Sequence, residues 1–204
     1  MPEIRKAQLI EGVVYMPSPV RHRHHGRPHF LIVTWLGVYF AATPGVEGGD
    51  NSTIELDGKN EPQPDAMLLV APEAGGQTSL TEKGYLVGAP ELVAEVSGST
   101  VSIDLRQKKE AYRRNGVQEY IVYRTDDQAI DWFRLREGQY TLIEPDEAGI
   151  VKSEIFPGLW LDLPGMLAGN FNQVAITLQR GMAEPSHAAF VAMLAAKLNS
   201  SKAK

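Results

Sequence analysis

Two spacings of apolar residues alternate along this chain, period two for strands and a longer period for helices, and the places where one gives way to the other divide it into elements. Around Glu11-Gly12 the segment IRKAQLIEGVVYM alternates on both sides and predicts a short N-terminal hairpin, followed by a turn at Pro17-Ser18-Pro19. Between Pro28 and Ala42, FLIVTWLGVYFAA is apolar except for Thr34. Its β-branched and aromatic content would suit a strand, but its length predicts a deeply covered helix, with Pro28 near the first turn where a missing N–H costs nothing. Residues 45–51 read as a loop, and strand-like pieces follow at 53–56, 66–70 and 91–96 with Pro and Gly between them. Residues 102–115 predict a helix, with Ser102 or Asp104 placed to cap it and Gly116 supplying the left-handed residue beyond its end. Short strands are predicted at 119–123, 129–135 and 139–143, the last two joined as a hairpin through Glu137-Gly138. FPGLWLDLPG reads as a turn that docks Trp160 and Leu161, and residues 186–198 as an amphipathic helix with Phe190, Val191, Met193, Leu194 and Leu198 on its apolar side. The SSKAK tail is expected to fray.

At 204 residues and 43% hydrophobic content the chain can bury one substantial core. We expect a single domain over residues 1–204, a core to about 165 with a helical extension from about 166. The absence of cysteine removes disulfide frameworks, thiolate zinc sites and thiol nucleophiles, and favours a reducing compartment. No apolar run approaches the roughly 20 residues needed to cross a bilayer, and MPEIRKAQLIEG lacks the layout of a secretion signal, so a cytoplasmic protein is expected. A net charge of −5 argues against a protein that coats nucleic acid by bulk electrostatics. It is compatible with an enzyme that grips a polyanion only at a cleft. No G-x-S-x-G elbow is present, which disfavours a serine hydrolase.

Three polar residues stand out because apolar sequence surrounds them: Asp65 in QPDAMLLV, Glu95 in ELVAEVS and Lys108 in IDLRQKKEAYRRNGVQEYIVY. Burying an unpartnered carboxylate costs several kcal/mol, so acids in apolar strands imply a compensating cation, and a divalent metal is the obvious candidate. On the predicted helix Leu105, Lys108, Ala111 and Tyr112 share the inward stripe, while Arg106, Lys109 and Arg113 point elsewhere. Asp104, Lys108 and Tyr112 are also spaced i, i+4 and i+8, which sets an acid one turn before the lysine. Singly, each residue has an ordinary explanation: a lysine that snorkels, a turn acid after Pro64, a glutamate paired on an exposed face. Their joint appearance on two strands and the following helix favours a site. The segment VRHRHHGRPH places Arg21, His22, Arg23, His24, His25, Arg27 and His29 before the first helix, an awkward position for positive charge unless an anion such as a phosphate backbone joins it. The competing reading is a solvated loop whose arginines meet surface acids. Arg106, Arg113 and Arg114 could extend a cationic rim or form a wet helix face.

Pro64-Asp65, then Glu95 about 30 residues on, then Asp104, Lys108, Tyr112, Gly116, Val117, Glu119 and Tyr120 in the order D-x-x-x-K-x-x-x-Y-x-x-x-G-V-x-E-Y, resemble the Uma-type family of restriction endonuclease-like proteins in the PD-(D/E)XK nuclease superfamily. The similarity extends through IDWFRLREGQY and FPGLWLDL to EPSHAAFV. It implies an α/β (α+β) fold: a restriction-endonuclease-like mixed central β-sheet flanked by helices, with an N-terminal hairpin and a C-terminal helix. It further implies Asp65, Glu95 and Lys108 as catalytic residues, with Ser97, Asp104 and Tyr112 in support. Ser97 stands where the superfamily pattern has its lysine, and this family moves the lysine to the next helix, where Lys108 lies. Many members end the strand after Glu-Tyr with an acid; here that residue is Arg124. The activity implied is hydrolysis of DNA phosphodiesters with Mg²⁺ (or Mn²⁺) held by Asp65, Glu95 and the Val96 backbone carbonyl, and a homodimer so that both strands are cut. From the charge pattern, the residues expected to grip DNA are Arg21, Arg23, His24, His25, Arg27, Arg106 and Arg113. Two alternatives stay open: a catalytically inactive nuclease-like fold that binds nucleic acid or protein, and a metalloenzyme acting on another phosphate ester.

Overall fold

The computed structural model describes residues 7–16, 19–98 and 101–202. Ile4, Arg5 and Lys6 of the predicted hairpin, Pro17 and Ser18 of the predicted turn, and Ala203 and Lys204 of the tail lie outside the described residues. Strands β1 (Gln8–Ile10) and β2 (Val13–Tyr15) pair antiparallel about Glu11 and Gly12, whose φ of 52° and 75° supply the positive-φ turn that a tight hairpin requires. A π-helical turn, His22–Gly26, leads into α1 (Arg27–Ala42), which carries Pro28 in its first turn and buries Ile32, Trp35, Leu36 and Tyr39. Thr43 ends the helix, its hydroxyl donating back to the Tyr39 carbonyl at 2.7 Å.

After α1 the chain forms β3 (Val46–Gly49) and β4 (Ile54–Glu55). It continues through β5 (Ala66–Val70), β6 (Ser79–Leu80), β7 (Leu86–Val87) and β8 (Leu92–Ser97). The return from β8 is helical: α2 (Val101–Ile103), a π-helical segment Asp104–Lys108, and α3 (Lys109–Asn115), ended by Gly116 at φ 86°. Strands β9 (Glu119–Arg124), β10 (Ala129–Arg136) and β11 (Gln139–Leu142) then form a meander. β12 (Ile150–Lys152) pairs with β13 (Trp160–Asp162), and α4 (Leu163–Leu167), α5 (Phe171–Met182) and α6 (Pro185–Lys202) complete the chain.

The central sheet has six strands in the order β11-β10-β9-β8-β5-β3. Within this sheet, among the described residues, only β8 and β9 pair in parallel, and a parallel pair needs a crossover, which the helical segment from Val101 to Asn115 supplies. The sheet is therefore mixed and flanked by helices, as expected. Its two faces follow from strand alternation. Ala66, Leu68, Leu92, Ala94, Val96 and Ile121 pack on Trp35 and Tyr39 of α1 and on Val174, Leu178 and Leu194 of α5 and α6, with the Trp35 and Trp132 rings edge to face at 5.6 Å. Met67, Leu69, Val93, Tyr120 and Val122 face the other way, onto Tyr112 and Val117 of the crossover. That second face holds the site.

Several sequence expectations are corrected. Residues 45–51 do not form a loop throughout, because β3 pairs with β5 as the sheet's edge strand even though VEGG has little strand propensity. FPGLWLDLPG contains β13 as well as a turn; Trp35 Nε1 donates to the Trp160 carbonyl at 3.0 Å, and Gly181 of α5 lies so close that a Cβ there would stand 2.7 Å from Trp160 Cγ. Met193 is 44% exposed rather than packed, while Leu194 beside it is fully buried. Ser200, Ser201 and Lys202 are still helical where fraying was expected. Among the described residues no helix is long and apolar enough to cross a membrane.

Candidate active site

The antiparallel register that sets Ala66 opposite Ala94 brings Asp65, one residue before β5, opposite Glu95 of β8. Directly opposed residues project from the same face. Asp65 and Glu95 thus share the face covered by the crossover helix, and both are buried. The Val96 N–H donates to Asp65 Oδ2 at 2.7 Å, which ties the acid to the end of β8. From the crossover, Lys108 Nζ reaches Glu95 Oε1 at 2.9 Å and Asp104 Oδ1 at 3.2 Å. The Tyr112 hydroxyl donates to the same Glu95 oxygen at 2.8 Å, the Ser97 hydroxyl donates to Asp104 Oδ2, and the Tyr120 hydroxyl donates to the Asp104 carbonyl at 3.0 Å. Ser102 and Asp104 both lie within the helical segment that starts at Val101, and the Asp104 carboxylate is turned inward onto Lys108 and Ser97. The π-helical widening over Asp104–Lys108 lies in the stretch that carries both side chains, and such insertions are frequent at functional sites.

The electrostatics follow from crowding. Burial pushes the Glu95 carboxyl up and Asp104 and Asp65 add to the push; Lys108 pulls the other way, and the balance stands at about 8. Burial alone would lower the Lys108 ammonium, yet Glu95 and Asp104 outweigh it and hold the pKa above the ordinary lysine range. Asp65, which burial would raise, is carried below its usual value by His25, the Val96 N–H and Lys108. Three buried carboxyl groups thus crowd one ammonium, and the crowding that raises Glu95 is what a divalent cation would relieve. Among the described residues no three His, Asp or Glu side chains gather as a ready cage. Two acids with main-chain and solvent oxygens nevertheless fit Mg²⁺, which keeps much of its water.

The raised Glu95 value has a measurable consequence in the metal-free protein. Its folded pKa lies above its unfolded value of about 4.5, so its contribution to stability is complete below about 4.5 and is lost as pH climbs through about 8. Glu91 and Glu119, both raised by burial, tilt the same way, whereas Asp65 contributes above its unfolded value of 3.8 and loses that contribution as pH falls through its lowered pKa. The urea midpoint of protein held in EDTA is expected to fall between about pH 5 and about pH 8.5, and to fall less in Glu95→Gln. An equal fall in the variant would place the slope elsewhere.

The basic segment before α1 is arranged differently from the expected phosphate grip. Three of its histidines meet acids of this chain: His24 Nδ1 with Asp126 at 2.8 Å, His25 Nε2 with Asp65 Oδ1 at 3.2 Å, and His29 Nε2 with Asp50 at 2.9 Å and the Asp65 carbonyl at 2.8 Å. These side chains answer the positive charge at the helix start; His25 is half-buried against Asp65, while His24 stays exposed beside Asp126. Arg21, Arg23, Arg27 and Arg106 remain exposed. Arg113 is engaged by Glu110 at 2.6 Å and by the Gly138 carbonyl, so it is not a free rim cation. Arg124, where the resemblance leads one to expect an acid, pairs with Asp127 at 2.6 Å and Asp131 at 2.7 Å. Sequence reasoning missed the contact of His25 with Asp65.

A mixed sheet with acids at the end of its central antiparallel pair and a lysine on the crossover helix is the arrangement of a restriction-endonuclease-like fold. Residues 1–164 match the Uma2 family, described as "Putative restriction endonuclease", and the chain belongs to that family. Its fold is shared with the crystal structure of "a putative nuclease belonging to DUF820 from Anabaena variabilis ATCC 29413", with a TM-score of 0.62 at 15% identity over 79% of this chain and 89% of that one. No curated protein matches the sequence.

Proposed function

We propose that this protein is a metal-dependent endonuclease that hydrolyses phosphodiester bonds of DNA. The observation that carries this reading is the meeting of Asp65, Glu95 and Lys108 on one sheet face, two acids beside one ammonium with Asp104 against the lysine. Membership of the Uma2 family supports it. Asp65, Glu95 and the Val96 carbonyl would hold Mg²⁺ or Mn²⁺. Bound there, the ion supplies the positive charge that polarises the phosphodiester and acidifies water. Lys108, kept protonated by its acids, orients the attacking water and neutralises charge that develops on the phosphoryl oxygens. Asp104 holds the lysine in place, Ser97 fixes Asp104, and Tyr112 fixes the Glu95 oxygen that Lys108 shares. Arg21, Arg23, Arg27 and Arg106 are available for phosphates beyond the scissile one. A homodimer would set two such centres on the two strands of a duplex.

The test is incubation of plasmid DNA with the full chain. Nicking or linearisation is expected with Mg²⁺ or Mn²⁺ and is expected to stop in EDTA. DNA that is retained in a binding assay but left intact with both ions would overturn hydrolysis and leave a nuclease-like binding module.

A further inference from the structure

Resting on that metal-dependent reading, we propose that His25 is a side-chain ligand of the same cation, paired with Asp65, and that this nitrogen donor makes the site select Mn²⁺ over Mg²⁺. Asp65 offers its two oxygens differently. Oδ2 is held by the Val96 N–H, and Oδ1 faces His25 Nε2 at 3.2 Å. Two donors bound at right angles to one octahedral ion, with bonds of about 2.1 Å, stand about 3 Å apart. The present separation is therefore close to what a shared ion would need, and any proton on the ring nitrogen that became a ligand would pass to solvent.

The ring is positioned for this by its surroundings. His25 N donates to the Arg21 carbonyl at 2.9 Å within the π-helical turn, and the neighbouring His24 carbonyl accepts from the Thr125 hydroxyl at 2.7 Å, which anchors the turn to the end of β9. Its ring lies 5.6 Å from that of His29, and the His29 Nε2 is already occupied by Asp50 and the Asp65 carbonyl. His24 is drawn away to Asp126. Of the three histidines with acid partners, only His25 meets an acid of the site through that acid's side chain. Glu95 is turned to Lys108 and Tyr112, so the closely paired donors are Asp65 and His25. A carboxylate with imidazole suits Mn²⁺ and later first-row ions, whereas Mg²⁺ favours an all-oxygen shell.

The test uses the metal-free full chain, titrated calorimetrically with MnCl₂ and MgCl₂, with pulsed EPR of the bound Mn²⁺. The wild type is expected to bind Mn²⁺ more tightly than Mg²⁺ and to show hyperfine coupling from a directly bound nitrogen. In His25→Ala and His25→Gln the coupling should vanish and Mn²⁺ affinity should fall on the order of tenfold or more, with Mg²⁺ affinity nearly unchanged. Asp65→Asn should weaken both ions. Should His25→Ala fail to fold by circular dichroism, His25→Gln and the wild-type nitrogen coupling decide the question. Mn²⁺ binding without nitrogen coupling, or with equal affinity in the folded His25 variants, would overturn the assignment and leave the nuclease reading standing. Failure of the folded wild type to bind either ion would overturn both.

Discussion

Lys108→Met is expected to lower cleavage by about 10³-fold, the loss that follows removal of a preorganised group facing developing charge, and to destabilise the protein in a pH-dependent way. The ammonium sits between Glu95 and Asp104 with Asp65 nearby, and every one of these groups is buried. Removing one partner of a buried ion pair leaves uncompensated charge and costs about 3 to 5 kcal/mol. Here the cost has an escape, because Glu95 already takes a proton readily and will take it more readily without Lys108. Near pH 6 the variant should therefore be only modestly less stable than the wild type, while near pH 8.5 it should show the full deficit. Urea unfolding at the two pH values measures this. Adding Glu95→Gln to Lys108→Met should recover stability at the higher pH and recover no cleavage, which separates the lysine's proposed part in the reaction from its part in neutralising the core. A deficit independent of pH would mean that Glu95 is not the group that responds.

How much of this was legible in the sequence depends on whether the information was local. Helix α1, the hairpin through Glu137-Gly138 and the left-handed Gly116 follow from length, turn chemistry and periodicity, and they stand where those rules put them. The i, i+4, i+8 run of Asp104, Lys108 and Tyr112 is also local: Lys108 and Tyr112 meet at Glu95, and Asp104 pairs with Lys108. Strand β3 was not legible, because VEGG becomes a strand only through pairing with β5. By sequence His25 belongs to a cationic loop for the same reason: what it touches depends on how the turn before α1 lies against the start of β5, 40 residues further on. Nor does an acid within apolar sequence identify a site by itself. Glu91 and Glu119 flank strands too, and they are buried like Glu95. The difference lies in their partners. Glu91 accepts the Val70 and Gln77 N–H groups, and Glu119 likewise accepts from groups that belong to the fold; Glu95 alone of the three meets a lysine and a tyrosine hydroxyl.

Glu119→Ala should accordingly damage stability while sparing the chemistry. The Glu119 carboxylate gathers four donors: Trp132 Nε1 at 3.1 Å and the Ser153 hydroxyl at 2.7 Å on Oε2, and the Glu154 and Ile155 N–H groups at 2.7 and 3.2 Å on Oε1. It thereby pins the turn between β12 and β13 to the start of β9. In the β8–β9 register it stands opposite Leu92, three residues from Glu95 and hence roughly 10 Å along the strand from the site. Truncation strands four donors, in a place where each unsatisfied buried group costs about 1 to 3 kcal/mol and some relax onto water, so a net loss of about 3 to 5 kcal/mol is expected. For a chain of this size that lowers the melting temperature by roughly 10 °C or more. Glu119→Gln, which keeps one acceptor oxygen, should fall between the two. Cleavage per folded molecule, measured well below the lowered melting temperature, should stay within about twofold of the wild type, because no member of the Asp65, Glu95 and Lys108 group bonds to Glu119. A variant that melts like the wild type but cuts poorly would reverse this assignment and make Glu119 part of the reaction rather than of the scaffold.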